Sequence, residues 1–291
     1  MSSSETIAVL GAGGTMGFGI ASNILEAGIE LRAWNRSREK AEPLAEKGAT
    51  ILDTPAEAAE GASIVLTMLA DVDPVIEAMD GKDGFLSEAA DRLIWVQMST
   101  LGVSGTERCA ELAERHRVTF VDAPVLGTKQ PAEKGELVVL ASGPERTREL
   151  LEPIFSALGK RTMWVGEAGA GSRLKVVVNS WLVSIVEGAA EAIALAEGAD
   201  VDPHLFLEAV SGGPLDAPYL QMKAKAMIKR NFEPSFRLAL GAKDARLAQE
   251  LAERHGLDLP LVAAISARMT EGVGEHGDED LSATFLTSAP Q

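Results

Sequence analysis

An α/β domain followed by an all-helical domain, joined by one long helix, is the fold this 291-residue chain predicts. Three observations carry that reading. Up to about Val165, short apolar runs alternate with helical patterns, the layout of a parallel sheet with helices on both faces. Beyond Gly198 the pattern is helical, and no further strands are read. Between the two lies LKVVVNSWLVSIV (174–186), apolar on nearly every face of a helix, and such a helix is normally buried. Its pattern continues through EGAAEAIALAEG, and Gly198 ends it. The length suggests about two domains, here 1–166 and 167–291, each large enough for its own core.

Composition narrows the function classes. A net charge of −16 argues against a phosphate-backbone partner, so no nucleic acid is expected. The lone cysteine, Cys109, excludes an internal disulfide framework and suits a reducing, cytoplasmic setting. The amino terminus, MSSSETIAVLG, has no basic stretch and only a short apolar run, so it is not read as a signal peptide. No uninterrupted run of about 18 apolar residues occurs, and no membrane span is expected. His116, His204, His255 and His276 are scattered without metal-ligand spacing, so no metal site is expected. Nor is there a G-x-S-x-G elbow to suggest acyl transfer.

Taken in order, the chain opens with a strand at Thr6–Gly11, a glycine cluster, a helix of about three turns ending at Ala27-Gly28, and a strand at Leu31–Asn35. This is the layout of a dinucleotide-binding βαβ unit. The turn GAGGTMG contains Gly11, Gly13, Gly14, Thr15, Met16 and Gly17. Gly11 and Gly13 have the first spacing of G-x-G-x-x-G, but Gly17 arrives one residue late. Such a cluster is either a tight turn alone or a place where backbone N–H groups meet a pyrophosphate with no Cβ in the way. Its position after a strand and before a helix favours the second.

An NAD site usually carries an acidic residue after the second strand; this chain has Asn35-Arg36-Ser37-Arg38. Arg36 can fork onto a 2′-phosphate and Ser37 can donate to it, so the expected cofactor is NADP(H). A helix N-cap at Ser37 beside solvated arginines is compatible with that role.

Strands are expected next at Ala49–Leu52, Ser63–Leu69 and Arg92–Ser99. Ligands sit beyond the carboxyl ends of strands in such sheets, which places Leu69-Ala70 and Ser99-Thr100 at the nicotinamide end of the cofactor. Ser99-Thr100 reads equally well as a helix N-cap. A strand at Val118–Val125 leads through Leu126 into the turn Gly127-Thr128, whose backbone N–H groups and hydroxyl could grip a carboxylate. A strand at Leu137–Ser142, a helix at Pro144–Leu158 and a strand at Arg161–Val165 close the first domain.

In the long helix stand Lys175 and, four residues on, Asn179, which share a face. Lys175 is either a lysine on a half-exposed face or the proton-carrying group of a polar pocket; a buried lysine needs a partner. Helices follow at Pro203–Val210, Ala217–Lys229, Pro234–His255 and Pro260–Gly272. GGPLDAPY (212–219) reads as a rigid connector, and HGDEDL (276–281) as a solvated segment or cap. Phe236 and Asp244 lie about two helical turns apart and can look to one side, although a core phenylalanine and a surface aspartate would explain them too.

Together these stretches resemble the β-hydroxyacid dehydrogenase family, most closely its glyoxylate/succinic semialdehyde reductase branch. The resemblance runs from Thr6 to Phe285 and rests on the glycine turn with Met16-Gly17, Asn35-Arg36-Ser37, Ser99-Thr100, DAPVLGTKQPAEKGEL (122–137), GAGSRLKVVVN (169–179) and FRLALGAKD (236–244). It implies a Rossmann-like first domain, an all-α second domain, and a homodimer or homotetramer formed largely through the helical halves. It also implies Lys175 as the catalytic lysine, with Thr100, Asn179 and Phe236 at the substrate, Asp244 beside them, and Lys243 near the cofactor. A lysine that gives and retakes a proton needs its pKa drawn down from its usual value near 10.4, which desolvation would do.

One departure stands out. The family usually has serine after DAPV; this chain has Leu126, which cannot donate to a substrate carboxylate. Losing a bond to a charged group costs about 1.5–3 kcal/mol. Either Gly127 and Thr128 hold the carboxylate alone, or the substrate is bulkier or less charged than glyoxylate. The rival readings are a 3-hydroxyisobutyrate-type dehydrogenase, an imine reductase-like enzyme, and a non-catalytic NADP-binding scaffold.

Overall fold

The computed structural model describes residues 6–86 and 93–288. Arg92, the expected first residue of one strand, lies outside them. The chain divides into two compact units, Met1–Lys175 and Val176–Gln291.

In the first unit, β1 (Ile7–Leu10) leads into α1 (Thr15–Glu26), and β2 (Leu31–Trp34) and β3 (Thr50–Ile51) follow. Then come α2 (Pro55–Ala59), β4 (Ile64–Thr67), α3 (Val72–Asp80), β5 (Ile94–Gln97), α4 (Gly102–Arg115) and β6 (Thr119–Asp122). These six strands form one parallel sheet in the order β3-β2-β1-β4-β5-β6. Alternation along β1 builds a core on each face. Ile7 and Val9 pack with Ile20 and Ile24 of α1, while Ala8 and Leu10 pack with Val65 and Trp95. The Thr54-Pro-Ala-Glu57 start of α2 forms a reciprocal capping box, as its sequence dictates.

The remaining strands depart from the expected all-parallel sheet. The run expected at Val118–Val125 is interrupted at Ala123-Pro124, and β7 (Val125–Leu126) belongs to a second sheet. That sheet has the order β7-β8-β9, with β8 (Leu137–Ala141) and β9 (Gly159–Trp164). The pair β7–β8 is antiparallel and β8–β9 parallel. Connection length explains the difference. About ten residues join β7 to β8, room for the short α5 (Lys129–Glu133) but less than the dozen or so a parallel crossover needs. Between β8 and β9, α6 (Arg148–Leu158) supplies a full crossover.

Helix α7 (Ala170–Gly198) begins in the first unit and continues into the second. The second unit is helical, with α8 (Pro203–Val210), α9 (Pro218–Lys229), α10 (Leu238–Arg254), α11 (Pro260–His276) and a closing 3-10 segment, Leu281–Thr287. Its core joins Val183, Val186, Ala190 and Ile193 of α7 to Leu207, Met227, Leu238, Ile265, Met269 and Phe285. The expectation of a helix buried all round needs correction. Val177, Trp181 and Leu195 of α7 are 57%, 67% and 74% exposed, one stripe opposite the buried face.

Candidate active site

The order of the parallel sheet reverses between β1 and β4, and the crevice at such a switch point is where dinucleotides bind. The glycine turn sits there, at the end of β1. Gly11 has φ +95°, and a Cβ on it would lie 2.2 Å from the Met68 carbonyl. A Cβ on Gly17 would lie 2.0 Å from the Gly11 carbonyl, and one on Gly13 would lie 2.8 Å from Asn35. The late third glycine is thus still the one that lets α1 close onto the strand end. Gly14 is the N-cap of α1, and its N–H donates to the Gly11 carbonyl at 3.0 Å. Thr15, Met16 and Gly17 form the first turn of α1, whose N–H groups lack intrahelical acceptors and suit a pyrophosphate. A cradle cleared of side chains at a helix start fits a dinucleotide.

Asn35, expected at the cofactor, braces the cradle. Its Oδ1 accepts from the Gly13 N–H at 3.2 Å and its Nδ2 donates to the Ser37 carbonyl at 2.8 Å. Ser37 precedes a short 3-10 turn but makes no side-chain capping bond. Arg38 is engaged by Glu42 at 2.7 Å and Asp53 at 2.5 Å, whereas Arg36 is exposed beside it. Across the crevice, the Leu69 N–H donates to Ser99 Oγ at 2.8 Å, joining the ends of β4 and β5. The Gln97 side chain brackets the Ser99 backbone on both sides, at 2.9 and 2.6 Å. Ser99 is therefore a buried clamp on this loop rather than a helix cap; α4 starts later, with Leu101 at its N-cap. Ala70 precedes the N-cap of α3, Asp71, and Thr100 follows Ser99 toward α4, partly exposed.

Leu126 lies in β7, paired with Val138 and partly exposed. Gly127 has φ +130°, and a Cβ there would lie 2.7 Å from the Leu137 side chain. Thr128 is the N-cap of α5, yet its hydroxyl makes no capping bond. Asn23 of α1 anchors this loop by donating to the Ala132 carbonyl at 2.6 Å. Gly19 of α1 permits the approach, since a Cβ there would meet Ala132 at 2.7 Å.

Lys175 is 8% exposed, in the second turn of α7, which corrects the half-exposed alternative. The start of that helix is held by a buried network that sequence reasoning missed. Asp122, at the end of β6, accepts from the Ser172 N–H at 2.8 Å, Ser172 Oγ at 2.7 Å and Ser142 Oγ at 3.1 Å. Ser142 Oγ in turn accepts from the Gly171 N–H at 2.9 Å, and Thr106 Oγ1 lies 2.9 Å from Ser172 Oγ. Burial pushes the Asp122 carboxyl above its usual range, and the donors from Ser172, Ser142 and Gly169 oppose that shift. The available signal was an aspartate at the end of an apolar strand, far upstream of a Gly-Ser helix start.

In the second unit, Asn179 Nδ2 donates to Asp244 Oδ2 at 2.6 Å, both residues buried at 3% and 4% exposed. Asp244 is therefore an interior group, not a helix-surface aspartate. Lys243, its neighbour on α10, is partly exposed. Phe236 is partly buried against the helical core. Its N–H and that of Ser235 donate to Asp280 at 3.3 and 3.0 Å. Asp280 is also 2.7 and 2.8 Å from Lys223 Nζ, 3% exposed, and caps the closing segment through Ser282. In the stretch read as solvated or capping, this residue is a cap and a buried ion pair. Burial would raise its carboxyl, but the Lys223 charge and bonds hold it at about 2. Burial draws Lys223 toward the neutral amine, yet two carboxylate oxygens within 2.8 Å favour the ammonium. Among the described residues no group of three or more metal-ligating side chains gathers.

A dinucleotide cradle in an α/β unit, followed by a helical unit carrying paired polar side chains, defines an NAD(P)-dependent oxidoreductase. Residues 6–166 match the NAD binding domain of 6-phosphogluconate dehydrogenase, and residues 169–286 match the NAD-binding domain of NADP-dependent 3-hydroxyisobutyrate dehydrogenase. The chain belongs to the β-hydroxyacid dehydrogenase family. It is 33% identical to glyoxylate/succinic semialdehyde reductase 2 of Arabidopsis thaliana, over 94% of this chain and 76% of that protein. An uncharacterised oxidoreductase of Bacillus subtilis is 36% identical, over 94% and 96%. The structure of Mycobacterium tuberculosis 3-hydroxyisobutyrate dehydrogenase with L-serine superposes with a TM-score of 0.88 at 27% identity, covering 98% and 99%.

Proposed function

We propose that this protein is an NADPH-dependent reductase interconverting a small aldehyde or keto acid, of the glyoxylate or succinic semialdehyde class, with its hydroxy acid. The observation that carries the reading is Lys175, a buried lysine in the second turn of a helix whose start is anchored by Asp122. The exposed Arg36, with no acid at the end of β2, supports NADP(H) over NAD. The likeness to a glyoxylate/succinic semialdehyde reductase supports the substrate class.

When bound, the nicotinamide supplies a hydride, two electrons and a proton's worth of mass, to the carbonyl carbon. As the carbon–oxygen π bond breaks, the Lys175 ammonium gives its proton to the oxygen and is left as the neutral amine. Solvent restores that proton; in the oxidative direction the amine takes it back from the hydroxyl. The Asn179 carboxamide is fixed by Asp244 through its nitrogen, leaving Oδ1 to accept from a donor such as an ammonium or hydroxyl. Thr100 and the N–H groups of Gly127 and Thr128 position the acid end.

The test is oxidation of NADPH, followed by its absorbance, with glyoxylate, succinic semialdehyde, methylmalonate semialdehyde and a cyclic imine. Reduction of either of the first two is the expected result, and Lys175→Ala should lower kcat by at least about 100-fold. Turnover of the imine alone would instead assign an imine reductase-like activity. Turnover of none with NADPH binding intact would assign a scaffold. Near-normal turnover of Lys175→Ala would remove the lysine from the mechanism.

A further inference from the structure

We propose that Asp122 is a positioning residue for Lys175, a buried carboxylate that holds the first turn of α7 and thereby sets where the lysine stands. This role rests on the reading of Lys175 as the proton carrier.

Helix α7 begins at Ala170, and Gly169 before it has no side chain with which to cap. Two of the N–H groups left open at a helix start, those of Gly171 and Ser172, are met by tertiary partners: Ser142 Oγ at 2.9 Å and Asp122 Oδ2 at 2.8 Å. Asp122 therefore does from the end of β6 what an N-cap aspartate does locally, and its charge suits the positive end of the helix. The second oxygen, Oδ1, takes the Ser172 hydroxyl at 2.7 Å, so one side chain fixes both backbone and side chain of a single residue. Gly171 makes the approach possible, since a Cβ there would lie 2.2 Å from the Leu140 carbonyl.

Three residues after Ser172 comes Lys175, its neighbour on the helix surface. Any tilt of the first turn is passed on to the lysine. The other residues ending strands of the parallel sheet, Leu10, Trp34, Ile51, Thr67 and Gln97, are uncharged. A fully buried carboxylate is costly to desolvate, and stability alone is served more cheaply by apolar packing. The charge is placed where it fixes the helix that carries the lysine.

The experiment is a double-mutant cycle, using whichever carbonyl substrate of the panel the wild type reduces fastest. Values of kcat and KM, and NADPH affinity by fluorescence, are measured for Asp122→Asn, Lys175→Ala and the double variant. Asp122→Asn is expected to lower kcat about 100-fold, the cost of misplacing a catalytic group by about 1 Å, with KM and NADPH affinity shifted far less. Added to Lys175→Ala, it should cause no further loss. The same fractional loss in both backgrounds, an unchanged kcat, or a parallel loss of NADPH binding would each overturn the positioning role. Ser172→Ala keeps the backbone bond and loses the hydroxyl; it should act in the same direction at about tenfold, and it carries the cycle if Asp122→Asn does not fold. Near-wild-type turnover of Lys175→Ala by itself would overturn the lysine reading, a result distinct from any of these.

Discussion

Arg36 and Leu126 bear on the two questions that family membership leaves open, which cofactor and which carbonyl. Arg36 stands exposed at the end of β2, while its neighbour Arg38 is tied to Glu42 and Asp53. Replacing Arg36 with alanine should weaken NADPH binding about tenfold, the low end for a lost charge-assisted bond because the site is solvated. NADH binding should hardly change, and fluorescence titration with both cofactors separates the outcomes. Equal weakening of both would show that Arg36 does not read the 2′-phosphate. Leu126→Ser restores a hydroxyl donor to β7, where backbone pairing with Val138 does not depend on the side chain. The expected result is a fall of about tenfold in KM for glyoxylate, with less effect on a longer semialdehyde. Cys109 bears on neither question. It is buried, and burial pushes its thiol up to about 12, which disfavours the thiolate a nucleophile would need.

At the scale of elements, the closing 3-10 segment is joined to α9 by the Lys223–Asp280 pair, and the same carboxylate holds the backbone of Ser235 and Phe236. Asp280→Asn leaves a buried ammonium without its counter-charge and should cost about 3–5 kcal/mol. The pH dependence follows from the carboxyl being held at about 2 against an ordinary 3.8. A depressed carboxyl contributes stability that is complete above its unfolded pKa and lost as pH falls through the folded one. The gap in Tm between wild type and Asp280→Asn should therefore be constant above about pH 5 and shrink between about pH 4 and 2. A gap unchanged at pH 2 would show that the pair is not ionised. Phe236 is expected to feel the change as well, as a raised KM for the carbonyl substrate.

Over the whole molecule, what was legible in the sequence was what repeats locally. The βαβ start, the crevice residues at strand ends and the helical second half follow from period, length and glycine placement. What was not legible depends on residues far apart in the chain. Asp122 meets Ser172 across 50 positions and Lys223 meets Asp280 across 57, and no spacing rule announces either pair. The mixed second sheet was missed because an apolar run does not state its direction; connection length does. Periodicity marked α7 as apolar all round, but it could not say that Val177, Trp181 and Leu195 face outward in the single chain.

That outward stripe leads to the last prediction. Val177 and Trp181 are one turn apart, and Leu195 continues the line four turns on. Leu205 of α8 and Met222 of α9 are also exposed, at 55% and 48%. Soluble monomers seldom leave such apolar surface uncovered, and a second copy of the chain can cover it with the same stripe under two-fold symmetry. Opposing association is a net charge of −16 on each copy, a repulsion that salt screens over a Debye length of about 8–10 Å near physiological ionic strength. Sedimentation should therefore find a dimer or larger even-numbered oligomer that tightens as salt is raised, the opposite of assembly through surface ion pairs. Trp181→Glu places a charge on the stripe beside Val177 and should give monomers at micromolar concentration, with NADPH binding retained. A monomeric wild type at every salt concentration, or a Trp181→Glu variant as oligomeric as the wild type, would rule this helix out as the contact.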